Sequence, residues 1–179
     1  RLSLSSARRS IAFSYTPETV EVTVLKVWDD AENQDGKRPE EIAVVLSANG
    51  EAIWNVSLNE TNDWTATVEN LPKYADGKEI AYTWTEADLS GIGYTLKSNE
   101  TDGYITTLTN THTPEITSVS VEKIWDDDDN SHGKRPEAIV MILTADGETV
   151  TTVTLDASND WTETVEDLPK YKDGKAIAY

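Results

Sequence analysis

The sequence contains no cysteine, and it has only one phenylalanine and one methionine. Without cysteine the chain has no disulfide framework and no thiol chemistry, an absence that leaves the redox compartment open. Basic residues are also scarce, since 15 lysines and arginines stand against 33 aspartates and glutamates, which gives a net charge of -18. This balance argues against nucleic acid as a partner, because phosphates require a basic surface. We expect the acidic surface to serve solubility.

Long hydrophobic segments are absent as well. No apolar run approaches the length of a membrane span. The first ten residues, "RLSLSSARRS", are basic and rich in serine but lack the apolar core of a signal peptide. By contrast, six tryptophans and seven tyrosines are present, and this aromatic content favours a β-rich chain. The 179 residues suffice for one or two domains.

An internal repeat organises the chain. Residues 21–82 align with residues 118–179 without a gap, and 36 of the 62 aligned positions are identical. A period of 97 residues is too long for a solenoid unit and indicates tandem copies of a small domain. We expect residues 1–18 to be the tail of a preceding repeat or a segment of another kind, residues 19–116 to be one complete repeat, and residues 117–179 to begin a second repeat.

The second copy covers only part of the repeat. Its Tyr179 corresponds to Tyr82 of the first copy, so about 30 residues of the repeat have no counterpart after it. The sequence therefore looks like a fragment of a longer array. The junctions "SYTPE" and "THTPE" are short and contain proline, which suits stiff links between domains.

Hydrophobic alternation predicts strands and no helix longer than a single turn. The seven strands predicted in the first copy are Val20–Trp28, Ile42–Ala48, Ala52–Leu58, Trp64–Val68, Ile80–Glu86, Gly93–Lys97 and Tyr104–Asn110. The dipeptides Asn49–Gly50 and Asp146–Gly147 occupy equivalent positions and are typical of tight hairpins. The expected fold class is all-β, with tandem antiparallel β-sandwich domains of which the second copy is truncated.

A lysine interrupts the apolar face of the first strand in each copy. Val22, Val24 and Trp28 share the even-numbered face of this strand with Lys26, and Lys123 takes the same position in the second copy. Alternate residues of a strand point to the same side, so both lysines are predicted to point inward. Because a buried ammonium is costly unless it is paired, each lysine needs a polar partner.

Two other polar residues have the same inward phase. Glu86 alternates with Tyr82 and Trp84, and Asn110 shares a face with Leu108. If the two residues meet the first-strand lysine, the cluster has two interpretations. One is a buried lysine–glutamate ion pair with a hydrogen-bonded asparagine, which strand phase by itself favours. The other is acyl transfer, in which a neutral amine attacks the asparagine carboxamide and releases ammonia, with the carboxyl group shuttling protons.

Three motifs resemble a known family. The segments "KVWDD", followed by "GKRPE", then "LPKYADGKEIAYTWTE" and "TNTHTP" are similar to the B-type repeat of collagen-binding surface proteins, the Cna-B family. The resemblance covers essentially all of residues 19–179. It implies a transthyretin-like or reverse Ig-like β-sandwich, located outside the cell, in the stalk of a cell-wall-anchored adhesin or pilin of a Gram-positive bacterium.

The resemblance also implies a site. Many family members form an intramolecular isopeptide bond, which by motif would join Lys26 to Asn110 with Glu86 as the proton shuttle. Lys123 would be an unpaired crosslink lysine, because this chain ends before any counterpart of its partners. The N-terminal tail carries Phe13 where the offset of the repeat would place an acceptor asparagine.

The function implied is that of a structural stalk module, and the alternative is a module that binds a host protein or glycan. Apart from a single self-crosslinking turnover, no enzymatic activity is expected, and neither a cofactor nor a metal is expected. The expected partners are neighbouring repeats of the same chain and, through other parts of the parent protein, a host matrix or cell-surface ligand.

Two other features are candidates for binding. The loop "DDDDNSHGKRPE" has oxygen ligands at spacings like those of an EF-hand, but Ser131 stands where that loop requires glycine, so a solvated acidic loop is favoured over calcium. Trp28, Trp64 and Trp84 could stack on sugars, although two of them recur in the second copy and therefore suit a shared core. Trp54 does not recur and is the aromatic residue most expected to be exposed.

Overall fold

The computed structural model describes residues 11–179. The part of the N-terminal segment before residue 11 lies outside this range, and residues 11–18 form no helix or strand. Nine strands follow in the first copy: β1 Thr19–Asp29, β2 Glu41–Ala48, β3 Glu51–Asn59, β4 Thr65–Pro72, β5 Tyr74–Ala75, β6 Lys78–Glu79, β7 Tyr82–Glu86, β8 Thr95–Asp102 and β9 Ile105–Thr111. The strands of the second copy are β10 Ile116–Glu122, β11 Ala138–Ala145, β12 Glu148–Asp156, β13 Thr162–Pro169, β14 Tyr171–Lys172 and β15 Lys175–Ala176.

The only helical segments in residues 11–179 are three single 3₁₀ turns: Glu60–Asn62, Ser90–Ile92 and Ala157–Asn159. No helix in this range has the length and apolarity needed to cross a membrane. The all-β prediction is therefore confirmed, and each of the seven predicted strands is found with shifted ends. The largest shift is in β8, which begins two residues later than predicted and extends to Asp102, where a turn leads into β9.

The first copy is a sandwich of two sheets. One sheet has the strand order β4-β1-β9-β8 and the other has the order β3-β2-β7. Apolar residues from both sheets form one core: Val22, Val24, Ile42, Val44, Leu46, Leu58, Trp64, Val68, Trp84 and Leu108. This core is the expected result of strands whose alternate residues are apolar, because each sheet buries one face against the other.

One strand pair in this copy is parallel. Strands β1 and β9, the first and the last of the copy's main sheets, lie side by side and run in the same direction, while the other paired strands are antiparallel. In this register Lys26 lies opposite Leu108, and Trp28 lies opposite Asn110. The parallel pairing places the two ends of the copy at opposite ends of the sandwich.

The Asn–Gly and Asp–Gly signals identify hairpins correctly. Asn49 and Gly50 connect β2 to β3, and both have positive φ angles, of 50° and 87°. Asp146 and Gly147 connect β11 to β12 with φ angles of 48° and 90°. Two successive residues with positive φ match the right-handed twist of a two-residue hairpin, which explains the preference for asparagine, aspartate and glycine there.

The second copy forms fewer strand pairs. In the described range, β10 pairs with β13 alone and β11 pairs with β12 alone. Strand β10 ends at Glu122, whereas the equivalent β1 continues to Asp29 along β9. Ile124 is 74% exposed and Val140 is 65% exposed, so apolar side chains of this copy remain accessible.

Candidate functional site

The structure brings together Lys26, Glu86 and Asn110, the three polar residues whose positions in their strands predict inward side chains. Lys26 lies on β1 and Asn110 on the neighbouring parallel strand β9, so both side chains come from the same sheet. Glu86 ends β7 in the opposite sheet, where it pairs with Val44 of β2. The site therefore spans the sandwich, and it depends on both sheets for its assembly.

The distances in this cluster are short. Nζ of Lys26 donates a hydrogen bond to Oδ1 of Asn110 at 2.5 Å and another to the carbonyl oxygen of Leu108 at 3.2 Å. The same nitrogen lies 3.3 Å from Oε2 of Glu86. The side chain of Lys26 has no exposed surface, that of Glu86 is 4% exposed, and Asn110 as a residue is 1% exposed. An amine, a carboxyl group and a carboxamide thus share one almost fully buried site.

Burial controls the charge state of the amine. It lowers the pKa of Lys26, because the ammonium form loses its hydration, and the nearby Glu86 partly opposes this effect. The ring of Trp28, whose centroid is 4.5 Å from Nζ, also favours the charged form. Oε2 of Glu86 lies within ion-pair distance of Nζ and has no other polar partner among the described residues. The amine is therefore the polar group that this carboxylate oxygen faces in the site.

This geometry permits two chemical outcomes. A charged amine would form a buried ion pair with Glu86 while Asn110 accepts a hydrogen bond. A neutral amine would be placed within reach of the Asn110 carboxamide carbon, with a carboxyl group beside it. A cleft of about 270 Å³ reaches the site from the surface. Its lining residues are Glu86, Ala87, Asp88, Leu89, Leu96 and Asn110. A small leaving group can escape through this opening.

The lysine of the second copy has different surroundings. Lys123 lies beyond the end of β10, donates to the carbonyl oxygen of Ile124 at 3.0 Å, and has its nitrogen 4.6 Å from the Trp125 ring centroid. Within residues 11–179, no carboxylate forms an ion pair with it. The stacking of lysine on tryptophan thus occurs in both copies, whereas the acid and the carboxamide are found beside Lys26 alone.

A second polar network was missed by the sequence reasoning. Asp30, which is 2% exposed, accepts hydrogen bonds from the Arg38 guanidinium at 2.7 and 3.0 Å and from the Tyr94 hydroxyl at 2.7 Å. Burial alone would raise the pKa of Asp30, but these bonds and one from the backbone of Asn33 lower it. Burial and the neighbouring Asp30 raise the pKa of Tyr94. The network ties the loop after β1 to the segment that precedes β8.

The signal for this network is present in the repeat. Asp127 and Arg135 are the equivalents of Asp30 and Arg38, and they form the same paired hydrogen bonds at 2.6 and 3.0 Å. An aspartate and an arginine that are kept at equivalent positions in two diverged copies could therefore have indicated a structural hydrogen bond. In the acidic loop of the second copy, the carboxylate of Asp127 is thus occupied by arginine. In residues 11–179, no three acidic or histidine side chains are placed to hold a metal ion together.

The tryptophans divide between core and surface. Trp64 is 9% exposed and Trp84 is 1% exposed, and Trp28 packs edge-to-face on Trp64 with ring centroids 5.1 Å apart. Trp54, by contrast, is 56% exposed on β3, which confirms the prediction for it. Of the two tryptophans that recur, Trp64 belongs to the core of the first copy and Trp28 is partly buried against it.

Comparison with known proteins identifies relatives of this chain. A model of the Cna protein B-type domain matches residues 22–111 and 119–179. A collagen adhesin of Staphylococcus aureus is 45% identical over 172 residues, a match that covers 95% of this chain and 14% of the adhesin. A crystal structure of two B repeat units of the collagen binding protein of Staphylococcus aureus is similar, with a TM-score of 0.84 and 44% identity. That match covers 92% of this chain and 44% of the other. The chain thus spans a small part of the adhesin that it resembles.

Proposed function

Because the chain belongs to the Cna protein B-type domain family, we propose that it is a structural stalk module of a cell-wall-anchored adhesin on the surface of a Gram-positive bacterium. The tandem arrangement of the copies supports a role as a spacer, since each copy extends the chain by one folded unit. The relative from Staphylococcus aureus is described as a collagen adhesin. In this proposal, a host ligand is bound through other parts of the parent protein.

The second part of the proposal is an autocatalytic isopeptide bond between Lys26 and Asn110. The observation that carries it is the 2.5 Å contact of Nζ with Oδ1 in a site without exposed lysine surface. The lowered pKa of Lys26 favours the neutral, nucleophilic amine. Nζ attacks Cγ of Asn110, the new Nζ–Cγ bond forms, the Cγ–Nδ2 bond breaks, and Nδ2 leaves as ammonia.

Glu86 supplies the proton transfers that this reaction needs. The attacking nitrogen loses a proton as it becomes an amide, and the leaving nitrogen gains one as it becomes ammonia. A carboxyl group 3.3 Å from Nζ can take up the first proton and deliver the second. Glu86 returns to its starting state, so the three residues complete one turnover and no cofactor is required.

The position of the bond gives it a mechanical purpose. Tension along a stalk would enter the first copy at β1 and leave it at β9, and these parallel strands would be sheared past each other. A covalent bond between two residues 84 positions apart would carry this load directly from one strand to the other. The residues between them would then bear none of it, so the copy would resist both force and proteolysis.

A ligand-binding module is the second candidate function. The exposed Trp54 favours it, because this ring borders a shallow cleft of about 450 Å³ together with Val56 and Leu71. Aromatic residues at such a place commonly contact proteins or sugars. A screen of collagen and glycans against the chain, with Trp54→Ala as the comparison, would identify binding at this face.

Intact mass tests the bond directly. The 179-residue chain is expected to weigh one ammonia less than its sequence demands, and Lys26→Ala, Asn110→Ala and Glu86→Ala are each expected to restore the full mass. Lys123→Ala serves as the matched control, because its environment has no acceptor asparagine in this chain; it should retain the deficit. A folded wild-type chain of full mass would refute the bond and leave the buried ion pair as the interpretation.

A further inference from the structure

The two copies touch through a pair of glycines. Gly36, in the loop after β1, and Gly174, in the turn between β14 and β15, meet backbone to backbone. A Cβ atom built on Gly36 would lie 2.5 Å from Cα of Gly174, and one built on Gly174 would lie 3.1 Å from Cα of Gly36. The amide of Gly174 donates to the carbonyl oxygen of Gln34 at 3.1 Å. Only residues without a side chain allow this approach.

The linker between the copies is held from both sides. Glu115 accepts a hydrogen bond from Lys37 of the first copy at 2.9 Å and from Lys170 of the second copy at 2.8 Å. Lys170 and Lys37 together lower the pKa of Glu115 to about 2. One linker carboxylate therefore connects both repeats, and it stays ionised at any ordinary pH.

A buried pair fixes the start of the same linker. The carboxylate of Asp35 has no exposed surface, and its Oδ2 atom accepts from the amide of Glu115 at 2.8 Å and contacts Nε2 of His112 at 2.9 Å. Nδ1 of His112 lies 2.8 Å from the carbonyl oxygen of Gly93. The histidine ring is thus held at both nitrogens, and the linker cannot rotate without breaking bonds in a buried site.

From these contacts we infer that Gly36, Gly174 and Glu115 form a docking site that holds successive repeats in one relative orientation. The partner that fits this site is another copy of the same repeat, and the product is a stiff rod in place of a flexible string. The inference deepens the stalk function and rests on it for its biological purpose. It does not require the bond between Lys26 and Asn110.

The docking elements recur with the period of the repeat. In the first copy Lys73, Gly77 and Glu18 are the equivalents of Lys170, Gly174 and Glu115, and Lys73 already contacts Glu18 at 3.2 Å. In the second copy Gly133 and Lys134 are the equivalents of Gly36 and Lys37. Each copy therefore carries both halves of the contact, as a repeating joint requires.

One pair departs from this periodicity. His132 stands at the position of Asp35, and Tyr15 stands at the position of His112. The buried aspartate–histidine contact is therefore particular to the joint between these two copies, whereas the glycine contact and the glutamate–lysine contact use residues present in both. In this inference, the glycine contact and the glutamate–lysine contact set the relative orientation of the two copies. The buried pair of Asp35 and His112 makes this joint stiffer.

The absence of cysteine makes the orientation measurable. Glu69→Cys on β4 and Glu166→Cys on β13 are equivalent exposed positions in the two copies, so they accept spin labels without competing thiols. Double electron–electron resonance on the labelled 179-residue chain is expected to give one narrow distance distribution. Gly36→Ala is expected to shift or broaden it, because the added methyl group would overlap the backbone of Gly174.

The second copy offers a matched control. Gly133 has a φ of +59°, close to the +66° of Gly36, but a Cβ built on it meets nothing within 4 Å among the described residues. Gly133→Ala carries the same backbone strain and should leave the distribution narrow. Gly174→Ala and its equivalent Gly77→Ala, with φ of +73° and +74°, form a second pair with the same expectation. Circular dichroism would show that each variant folds.

The outcomes distinguish the docking site from the proposed crosslink between Lys26 and Asn110. A broad distribution in the parent chain, or equal effects of Gly36→Ala and Gly133→Ala, would overturn the docking site. If the mass deficit were present in that case, the crosslink proposal would stand alone. A narrow distribution in a chain of full mass would refute the crosslink and leave the joint intact.

Discussion

Glu86 faces Lys26 from the opposite sheet of the sandwich, with Oε2 of the glutamate 3.3 Å from Nζ of the lysine. The acid therefore belongs to a different layer from the amine and from Asn110, whose strand lies beside that of the lysine. Changing the acid leaves the hydrogen bonds between β1 and β9 in place. The roles of acid and strand pairing can thus be separated by mutation.

The first prediction concerns Glu86→Gln. The glutamine has nearly the same shape but cannot shuttle protons, so the chain should fold to the same sandwich with its full mass. Loss of a crosslink between residues 84 positions apart is expected to cost about 4–5 kcal/mol of unfolding free energy, by analogy with the entropy of a disulfide loop. Urea unfolding followed by tryptophan fluorescence measures this difference.

Glu100→Gln is the control for this variant, because Glu100 is exposed on β8. It should change the unfolding free energy by less than about 0.5 kcal/mol. Equal midpoints for Glu86→Gln and the parent chain would mean that the bond is absent or contributes nothing to stability.

The second prediction separates a covalent bond from an ion pair. The double variant Lys26→Met, Glu86→Met replaces both charged groups with apolar side chains of similar size. If the two residues formed only a buried ion pair, this exchange would be neutral or stabilising. With the bond to Asn110 lost, we expect the variant to be less stable by about 4–5 kcal/mol, as measured by urea unfolding.

An exposed ion pair supplies the comparison. Lys97 contacts Asp29 at 2.7 Å with both side chains more than half exposed, so Lys97→Met should cost less than about 1 kcal/mol. A double variant at Lys26 and Glu86 as stable as the parent would decide in favour of the ion pair.

The third prediction concerns pH and the joint. Because the pKa of Glu115 is lowered from 4.5 to about 2 when both lysines bind it, opening the joint at low pH takes up a proton. The ion pairs of Glu115 with Lys37 and Lys170 therefore contribute fully to the stability of the joint above about pH 4.5. This contribution is lost as the pH falls through about 2. We expect the distance distribution between the spin labels to stay narrow down to pH 4.5 and to broaden below it.

Glu115→Gln should remove this dependence on pH, while the equivalent Glu18→Gln should keep it. Tryptophan fluorescence, recorded on the same samples, would show whether the first copy stays folded over the range. Broadening that occurs identically in the parent chain and in Glu115→Gln would contradict a role for this carboxylate.

The fourth prediction concerns the edge of the second copy. Within residues 11–179, β10 pairs only with β13, so the other edge of β10 presents unpaired backbone groups. We expect the amides of Ser120 and Glu122, which point to this edge, to exchange with deuterium faster than those of the equivalent Thr23 and Leu25, which point toward β9.

Limited proteolysis should agree with this difference. Cleavage is expected first within the second copy, leaving a resistant core near residues 19–116. A monomeric sample in which both copies exchange and are cleaved at the same rate would show that β10 is protected in some other way.

Much of the fold was predictable because it depends on short-range pattern. Alternation located β1 to β4 and β7 to β9, and the Asn49–Gly50 and Asp146–Gly147 dipeptides located hairpins, since a two-residue turn needs residues that accept positive φ. The three motifs identified the family, which the family match confirms. Periodicity of two also placed Lys26, Glu86 and Asn110 on inner faces.

Strand phase alone did not decide which inner faces meet. The inward direction of a side chain follows from its own strand. The parallel pairing of β1 with β9, and the position of β7 in the opposite sheet, depend on contacts between segments far apart in the chain. The same limit applies to Asp30, Tyr94 and Arg38, because their hydrogen bonds join the loop after β1 to a segment far away in the chain.

The joint between the two copies shows most clearly what the sequence determines and what only the tertiary structure decides. Local sequence by itself favours turns at Gly36 and Gly174, because each is the second residue of an Asp–Gly dipeptide. That these two glycines touch each other was decided only by the tertiary structure. Their contact follows from the direction of the linker, which Asp35 and Glu115 hold through bonds to residues of both copies. Local backbone preference acts over a few residues, and a contact across 138 positions requires the packed domains to bring the backbones together.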